Sequence, residues 1–191
     1  YNTINEGINA ANPGDTVFVY NGTYQESNIA LDKDNLSLIG ESRDVTIIDG
    51  VSSSWILIIT AQNVTVTGFT IQYSPVGTAG IYSVYSNSNV IENNVVADNN
   101  LGIALSWFCK ENKIRGNTVT SNAFYTGINL ARGAHENDVE NNNIFQNTYG
   151  ILISSNNNSI FSNQIIDNDV GISEYLGPQH VYLGPTSGNR I

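Results

Sequence analysis

The 191-residue chain has no methionine, one cysteine, four prolines and two histidines, and only seven Lys and Arg against seventeen Asp and Glu. Each scarcity excludes something. A single cysteine, Cys109, rules out an internal disulfide and a cysteine-based zinc site. Without methionine, and with His135 and His180 far apart in the chain, the soft donors that copper handling favours are missing. A net charge of −10 and a pI near 4.3 make nucleic acid and anionic membranes poor partners, because both need a cationic face. No apolar run approaches the ~18 residues of a transmembrane helix, so no membrane insertion is expected. Gly-x-Ser-x-Gly does not occur, and no histidine neighbours Cys109 in sequence, so no nucleophile motif stands out. At 40% hydrophobic and 13% charged residues, the composition is still that of a folding domain. The chain starts at Tyr1 with no signal segment and stops within Gly188-Asn189-Arg190-Ile191, so it reads as a piece of a larger, exported protein.

Asparagine is abundant, and its placement is regular. The pattern Asn-x-[Ile/Val]-x-x-Asn-x-[Val/Ile]-x-x-Asn occurs four times, at Asn89, Asn94 and Asn99; Asn112, Asn117 and Asn122; Asn137, Asn142 and Asn147; and Asn158, Asn163 and Asn168. Successive first asparagines are 23, 25 and 21 residues apart. A Gly-Ile pair punctuates each repeat, at Gly80-Ile81, Gly102-Ile103, Gly127-Ile128, Gly150-Ile151 and Gly171-Ile172. Such a period marks a solenoid. Two or three β-branched residues between asparagines are too few for a helix, and Asn tolerates φ > 0, so Asn is expected at sharp corners and Gly-Ile at another. Three corners per repeat describe a triangular coil with three short parallel strands. Stacked at the ~4.8 Å spacing of neighbouring strands, the asparagines form hydrogen-bonded ladders and the Ile/Val columns fill the interior.

The expected fold is therefore all-β, a right-handed parallel β-helix with a short N-terminal capping helix. It forms a single domain over residues 1–191: a cap and first coil at 1–34, degenerate coils at 35–79 and regular ladder coils at 80–191. In the degenerate part, Val66, Gly68 and Ile71 align with Ile114, Gly116 and Val119, which puts Phe69 where Asn117 would stand. Thr3-Ile4-Asn5-Glu6 is a capping box opening a helix through Ala11, with Ile4, Ile8 and Ala11 on one face, and Asn12-Pro13-Gly14-Asp15 stops it. No such cap stands at the other end, so the last coil is expected to be covered by a further domain or a second subunit.

The stretch INEGINAANPGDTVFVYNGTYQESNIALDKDNLSLIGE, with Ala11-Asn12-Pro13-Gly14-Asp15-Thr16 and Asn21-Gly22-Thr23-Tyr24, resembles the N-terminal cap and first coil of right-handed parallel β-helix proteins. These include the pectate-lyase-like superfamily and the NosD-like group of carbohydrate-binding and sugar-hydrolysing repeats. The resemblance covers nearly the whole chain and is specific for fold, but the fold hosts lyases, hydrolases, esterases, binders and scaffolds. The asparagine-rich, acidic style is similar to archaeal cell-surface β-helix proteins, including the β-helix part of disaggregatase. That likeness implies an acidic polysaccharide as substrate and a secreted or cell-surface location.

Some charges are expected to be structural. Glu92, Arg115 and Glu140 share one column, Lys113 and Asp138 another, and inter-coil ion pairs should form between them. Arg132 is different. The coils beside it place Tyr85, Trp107 and Ser155 in its column, with Tyr82 and Phe108 nearby. Aromatic faces beside a guanidinium suit stacking on sugar and pairing with carboxylate; the alternative is an exterior aromatic ladder that stiffens the solenoid. The spacing from Asn158 to Asn189 exceeds that of every earlier coil, so an insertion follows Asp167, Asp169 and Glu174 and carries Tyr175 and His180. Insertions in solenoids often mark the binding face. Asp167, Asp169, Glu174 and Arg132 are the candidate catalytic residues. The candidate substrate-binding residues are Tyr82, Tyr85, Trp107, Phe108, Tyr175 and His180. Two carboxylates could serve as acid and base on a glycosidic bond, an Asp cluster could hold Ca²⁺, or the insertion is simply an end-of-domain loop. The expectation is an enzyme that hydrolyses or cleaves acidic cell-envelope polysaccharide; the alternative is a non-catalytic scaffold or carbohydrate-binding module.

Overall fold

In the computed structural model, which describes residues 1–50, 54–122 and 125–174, twenty-one strands wind into seven coils behind one N-terminal helix. Every coil contributes one strand to each of three parallel seven-stranded sheets. The architecture is the expected right-handed parallel β-helix. Alternation along each short strand decides its interior. Val66, Ile91, Ile114, Val139 and Ile160 stack inward from the first sheet, and Ile48, Ile71, Val96, Val119 and Ile144 from the second. From the third sheet come Ile81, Ile103, Ile128 and Ile151, all fully buried.

The helix spans Ile4–Ala10 and covers the first coil through Ile4 and Ile8, while Ala11 ends it as the C-cap. Thr3 caps it, accepting a hydrogen bond from the Glu6 amide at 3.1 Å. The reciprocal half of the box differs from expectation, because Glu6 accepts from the Asn2 amide instead of Thr3. Glu26 of the first coil supplies further acceptors, taking the Ile4 and Asn5 amides at 2.7 and 3.0 Å. A carboxylate at the positive end of the helix satisfies orphan donors and binds the cap to the solenoid.

Most ladder asparagines are buried, with Asn163 and Asn168 of the last coil half-buried, and those in the middle coils work in both directions along the stack. Asn117 Nδ2 donates back to the Ile91 carbonyl at 2.9 Å and forward to Asn142 Oδ1 at 3.0 Å. The same Asn142 Oδ1 accepts the Asn117 backbone amide at 2.9 Å. The ladders run into the degenerate coils, where Asn89, Asn94 and Asn99 accept the amides of Val64, Phe69 and Ser74. Phe69 fills the asparagine position and is fully buried.

Two expectations about the corners are corrected. None of the twelve ladder asparagines has positive φ; the residue before each one does, including Asn93, Glu111, Gly116, Asn141 and Gln146 at φ of 52, 58, 63, 55 and 56°. A ladder asparagine must keep its side chain turned inward to pair, so its predecessor makes the left-handed bend. The Gly-Ile pairs are not corners either, since they lie inside the third-sheet strands Ala79–Val84, Leu101–Ser106, Thr126–Leu130, Tyr149–Ile153 and Val170–Glu174. At Gly80, Gly102, Gly127 and Gly150, though not at Gly171 in the last coil, glycine is required by close stacking. A Cβ on Gly102 would sit 2.4 Å from the Gly127 carbonyl oxygen and 3.0 Å from Asn122 Nδ2.

The charge columns form only in part. Arg115 Nε meets Glu92 Oε2 at 2.7 Å. Lys113 and Asp138, like Arg115 and Glu140, are register partners that make no ion pair. Lys110 turns to its sequence neighbour Glu111 at 3.3 Å.

Candidate functional site

The outer face of the third sheet carries the candidate site. On the strands whose Ile81, Ile103 and Ile128 point inward, the next residues point outward: Tyr82, Ala104 and Asn129, in register across three coils. Ala104 is the smallest of the three, and its lack of bulk opens a depression between its neighbours. The result is a groove of about 230 Å³ lined by Trp55, Tyr82, Ala104, Tyr125, Asn129 and Arg132, among others.

Each edge of the sheet contributes a wall. On the side where the chain enters the third sheet, Trp55 lies against Tyr82, with ring centroids 5.3 Å apart and planes at 17°. Tyr125 stands on the same side and leans on Tyr149 of the next coil at 6.3 Å. On the side where the chain leaves, Tyr85, Trp107 and Arg132 occupy equivalent left-handed corners, with φ of 50, 53 and 50°. Left-handed corners recur throughout this fold, but most are filled by Asn, Asp, Ser, Glu or Gln. A bulky ring there costs backbone energy, roughly 1–2 kcal/mol, and projects outward. Tyr85 stacks on Trp107 at 6.0 Å and on Phe108 at 6.4 Å. The Arg132 guanidinium lies 4.8 Å over the Trp107 ring. Phe108 donates its amide to the Arg132 carbonyl at 3.2 Å, which locks the two corners together.

Arg132, Trp107, Tyr85 and Phe108 therefore meet at one corner, and Trp107 is half-buried on the exterior side. Tyr82 is not part of that cluster; it stacks on Trp55 and shares the groove with Arg132. The carboxylates stand elsewhere. Asp167 makes the corner between the second and third sheets in the last coil, at φ 51°, and Asp169 follows it. Both sit two coils beyond Arg132, at the opposite edge of the third sheet. Glu174 is the register partner of Ile153, in the column of buried Leu105 and Leu130, so alternation turns it toward the solenoid axis instead of the outer face. Tyr175 and His180 lie outside the described residues.

Sequence reasoning did not single out Trp55, Tyr125 or Asn129. Asn129 was findable, because it directly follows a Gly-Ile pair where other coils place Tyr82 and Ala104. Trp55 was not, because its coil precedes the regular repeat.

Among the described residues, no three His, Cys, Asp or Glu side chains converge as a metal site would need. Cys109 is fully buried, with Sγ 3.0 Å from the Ser106 carbonyl and 3.6 Å from Ser83 Oγ. His135 Nδ1 lies 2.9 Å from the Gly133 carbonyl oxygen. No helix among the described residues is long and apolar enough to cross a membrane.

Solved structures with this winding include ORF18 of Geobacillus virus E2, with a TM-score of 0.73 and 15% identity over 97% of this chain; the chain spans 41% of the viral protein's length. An alginate lyase from Paenibacillus sp. str. FPU-7 is similar at a TM-score of 0.64 and 14% identity, covering 98% of this chain and 91% of the lyase. A pectin methylesterase from Yersinia enterocolitica matches at 0.63 and 14%, covering 87% and 68%. At such identities the likeness is one of fold. No curated protein sequence matches the chain. Nothing in these matches supports the finer likeness to a disaggregatase. The model of the family described as periplasmic copper-binding protein (NosD) matches residues 8–189, and the chain belongs to that family.

Proposed function

We propose that this solenoid binds a polysaccharide chain in the groove on the outer face of its third sheet. The observation that carries the reading is the stacked Trp55–Tyr82 pair forming one wall of that groove. A pyranose ring has an apolar face and a hydroxyl rim, so it pairs with an aromatic face flanked by polar groups. The groove is shallow, about 230 Å³, below the ~300–1,000 Å³ of sites that enclose a small molecule. An extended polymer lying across the coils suits it better than a compact ligand. Fold neighbours named as an alginate lyase and a pectin methylesterase agree with a polysaccharide partner. The family's periplasmic description supports a location outside the cytoplasm, in the periplasm or at the cell surface.

Cleavage of acidic cell-envelope polysaccharide needs an acid and a base beside the scissile bond. Among the described residues no Asp or Glu lines the groove, and Asp167 and Asp169 lie outside it, two coils beyond Arg132. The geometry therefore supports binding ahead of cleavage. Copper, named in the family's description, does not suit this chain's donors: there is no methionine, the one cysteine is sealed in the core, and there are two histidines.

A titration panel of polysaccharides checks the reading, with reducing ends and the ultraviolet absorbance of unsaturated products followed in parallel. Binding without product is the expected result. Tyr82→Ala should weaken it about tenfold, the effect of losing ~1.4 kcal/mol of contact.

A further inference from the structure

Two side chains in the groove lack a polar partner among the described residues: Asn129 at its Oδ1, and Arg132, whose guanidinium rests only on the Trp107 ring. Asn129 lies on the floor, in an outward column whose neighbours are Tyr82, Ala104 and Leu152. Its Oδ1 is buried and without a hydrogen-bond partner, and its Nδ2 donates to no described residue. Buried polar atoms are nearly always paired, so an orphaned amide in a groove calls for a reason. Arg132, three residues on, has an exposed guanidinium over Trp107 and no ion pair among the described residues, although acids outnumber bases seventeen to seven. Arg115, Lys110 and Lys33 each have a carboxylate partner, whereas Lys113 and Arg43, like Arg132, have none among the described residues, but only Arg132 lines the groove.

We propose that the groove selects a carboxylate-bearing sugar unit, with the carboxylate held between the Arg132 guanidinium and the Asn129 amide. The inference rests on the polysaccharide reading above and names the chemical class it takes. A guanidinium presents two parallel N–H groups that match the two oxygens of a carboxylate, and an adjacent amide N–H adds a third donor. Rotation about the last side-chain bond of Asn129, a soft torsion, turns its oxygen toward a sugar hydroxyl. The surroundings favour the same ligand. The protein carries a net charge of −10, yet among the described residues no Asp or Glu lines this groove, so an anionic chain meets little repulsion there. Tyr82 and Asn129 are two strands apart, about 9.6 Å, so a ring on Tyr82 and a carboxylate at Arg132 belong to neighbouring units of one chain.

The test uses calorimetric titration of the full chain with oligogalacturonate and oligomannuronate, each compared with its methyl ester. One acid form should bind at least about tenfold more tightly than its ester, with the preference shrinking as salt rises. Arg132→Gln should remove that preference, so that acid and ester bind alike, with the melting temperature little changed. Arg132→Lys should restore only part of the preference, because a point charge replaces the fork. Asn129→Leu should lower affinity for the acid form severalfold while raising the melting temperature, since an unpaired buried amide is removed. Equal binding of acid and ester that still depends on Tyr82 would overturn this inference and leave the polysaccharide reading intact. No glycan binding at all would overturn both. Retention of the acid preference by Arg132→Gln would show that the carboxylate is read elsewhere.

Discussion

Replacing Asn142 with leucine tests the physical role of the ladders. Asn142 is 2% exposed, and its side chain joins three coils. Its Oδ1 accepts from the Asn117 amide at 2.9 Å and from Asn117 Nδ2 at 3.0 Å. Its Nδ2 donates to the Ile114 carbonyl at 2.8 Å and to Asn163 Oδ1 at 2.9 Å. Leucine removes all four bonds. Asn117 Nδ2 keeps the Ile91 carbonyl, and Asn163 Oδ1 keeps the Asn142 backbone amide. The Asn117 backbone amide loses the acceptor that the ladder gave it. Each such buried, unpaired group costs about 1–3 kcal/mol. With the Ile114 carbonyl also stripped of its ladder donor and the added aliphatic contact offsetting part, the net loss is about 2–4 kcal/mol. For a domain of this size that lowers Tm by roughly 4–16 °C. The neighbouring Asn141 separates pairing from turning, because it has φ 55° and does not belong to the ladder. Asn141→Gly should be close to neutral, since glycine adopts that bend without strain, whereas Asn142→Gly should destabilise as strongly as leucine. Scanning calorimetry of the three variants decides the matter. If Asn142→Leu melts with wild type, or Asn141→Gly is the damaging change, the ladder account is wrong.

Three further outcomes follow from the same geometry. Gly102→Ala places a methyl group 2.4 Å from the Gly127 carbonyl oxygen, against backbone that has no room to give, so soluble yield and Tm should both fall sharply; a wild-type Tm would refute the stacking explanation for Gly-Ile. A double-mutant cycle on Glu92 and Arg115 should return a coupling of no more than about 1 kcal/mol that fades in high salt, because both side chains are partly exposed. Trp107→Ala should change Tm little, because the ring is half-buried on the exterior, and should loosen Arg132, seen as weaker binding of acidic glycans.

The fold was legible because the repeat repeats its causes. Each inward Ile or Val has a counterpart one period away, so stacking could be read residue by residue, even to Phe69 standing in for an asparagine. The backbone's local geometry was less legible. A preference of Asn for positive φ pointed to the ladder residues themselves, but inward pairing overrode it and shifted the bend one residue back. Glycine before isoleucine looked like a corner, whereas its cause is the approach of the next coil's carbonyl, which no single coil reveals. For the site, the column reasoning brought Tyr85, Trp107 and Arg132 together at one corner. It did not anticipate that Tyr82 would pair with Trp55, because Trp55 comes from a coil without the repeat. Asp167 and Glu174 sit close to each other in sequence, yet short strands send one to an outer corner and the other toward the axis.

The central claim is that the outer groove of the third sheet binds polysaccharide through its aromatic wall. Calorimetric titration of the wild type and a Trp55→Ala/Tyr82→Ala double variant, against whichever glycan of the panel binds best, tests it most directly. The account predicts saturable binding by the wild type, a loss of about tenfold or more in the double variant, and a nearly unchanged fold by circular dichroism. A folded double variant that binds as tightly as the wild type would contradict it.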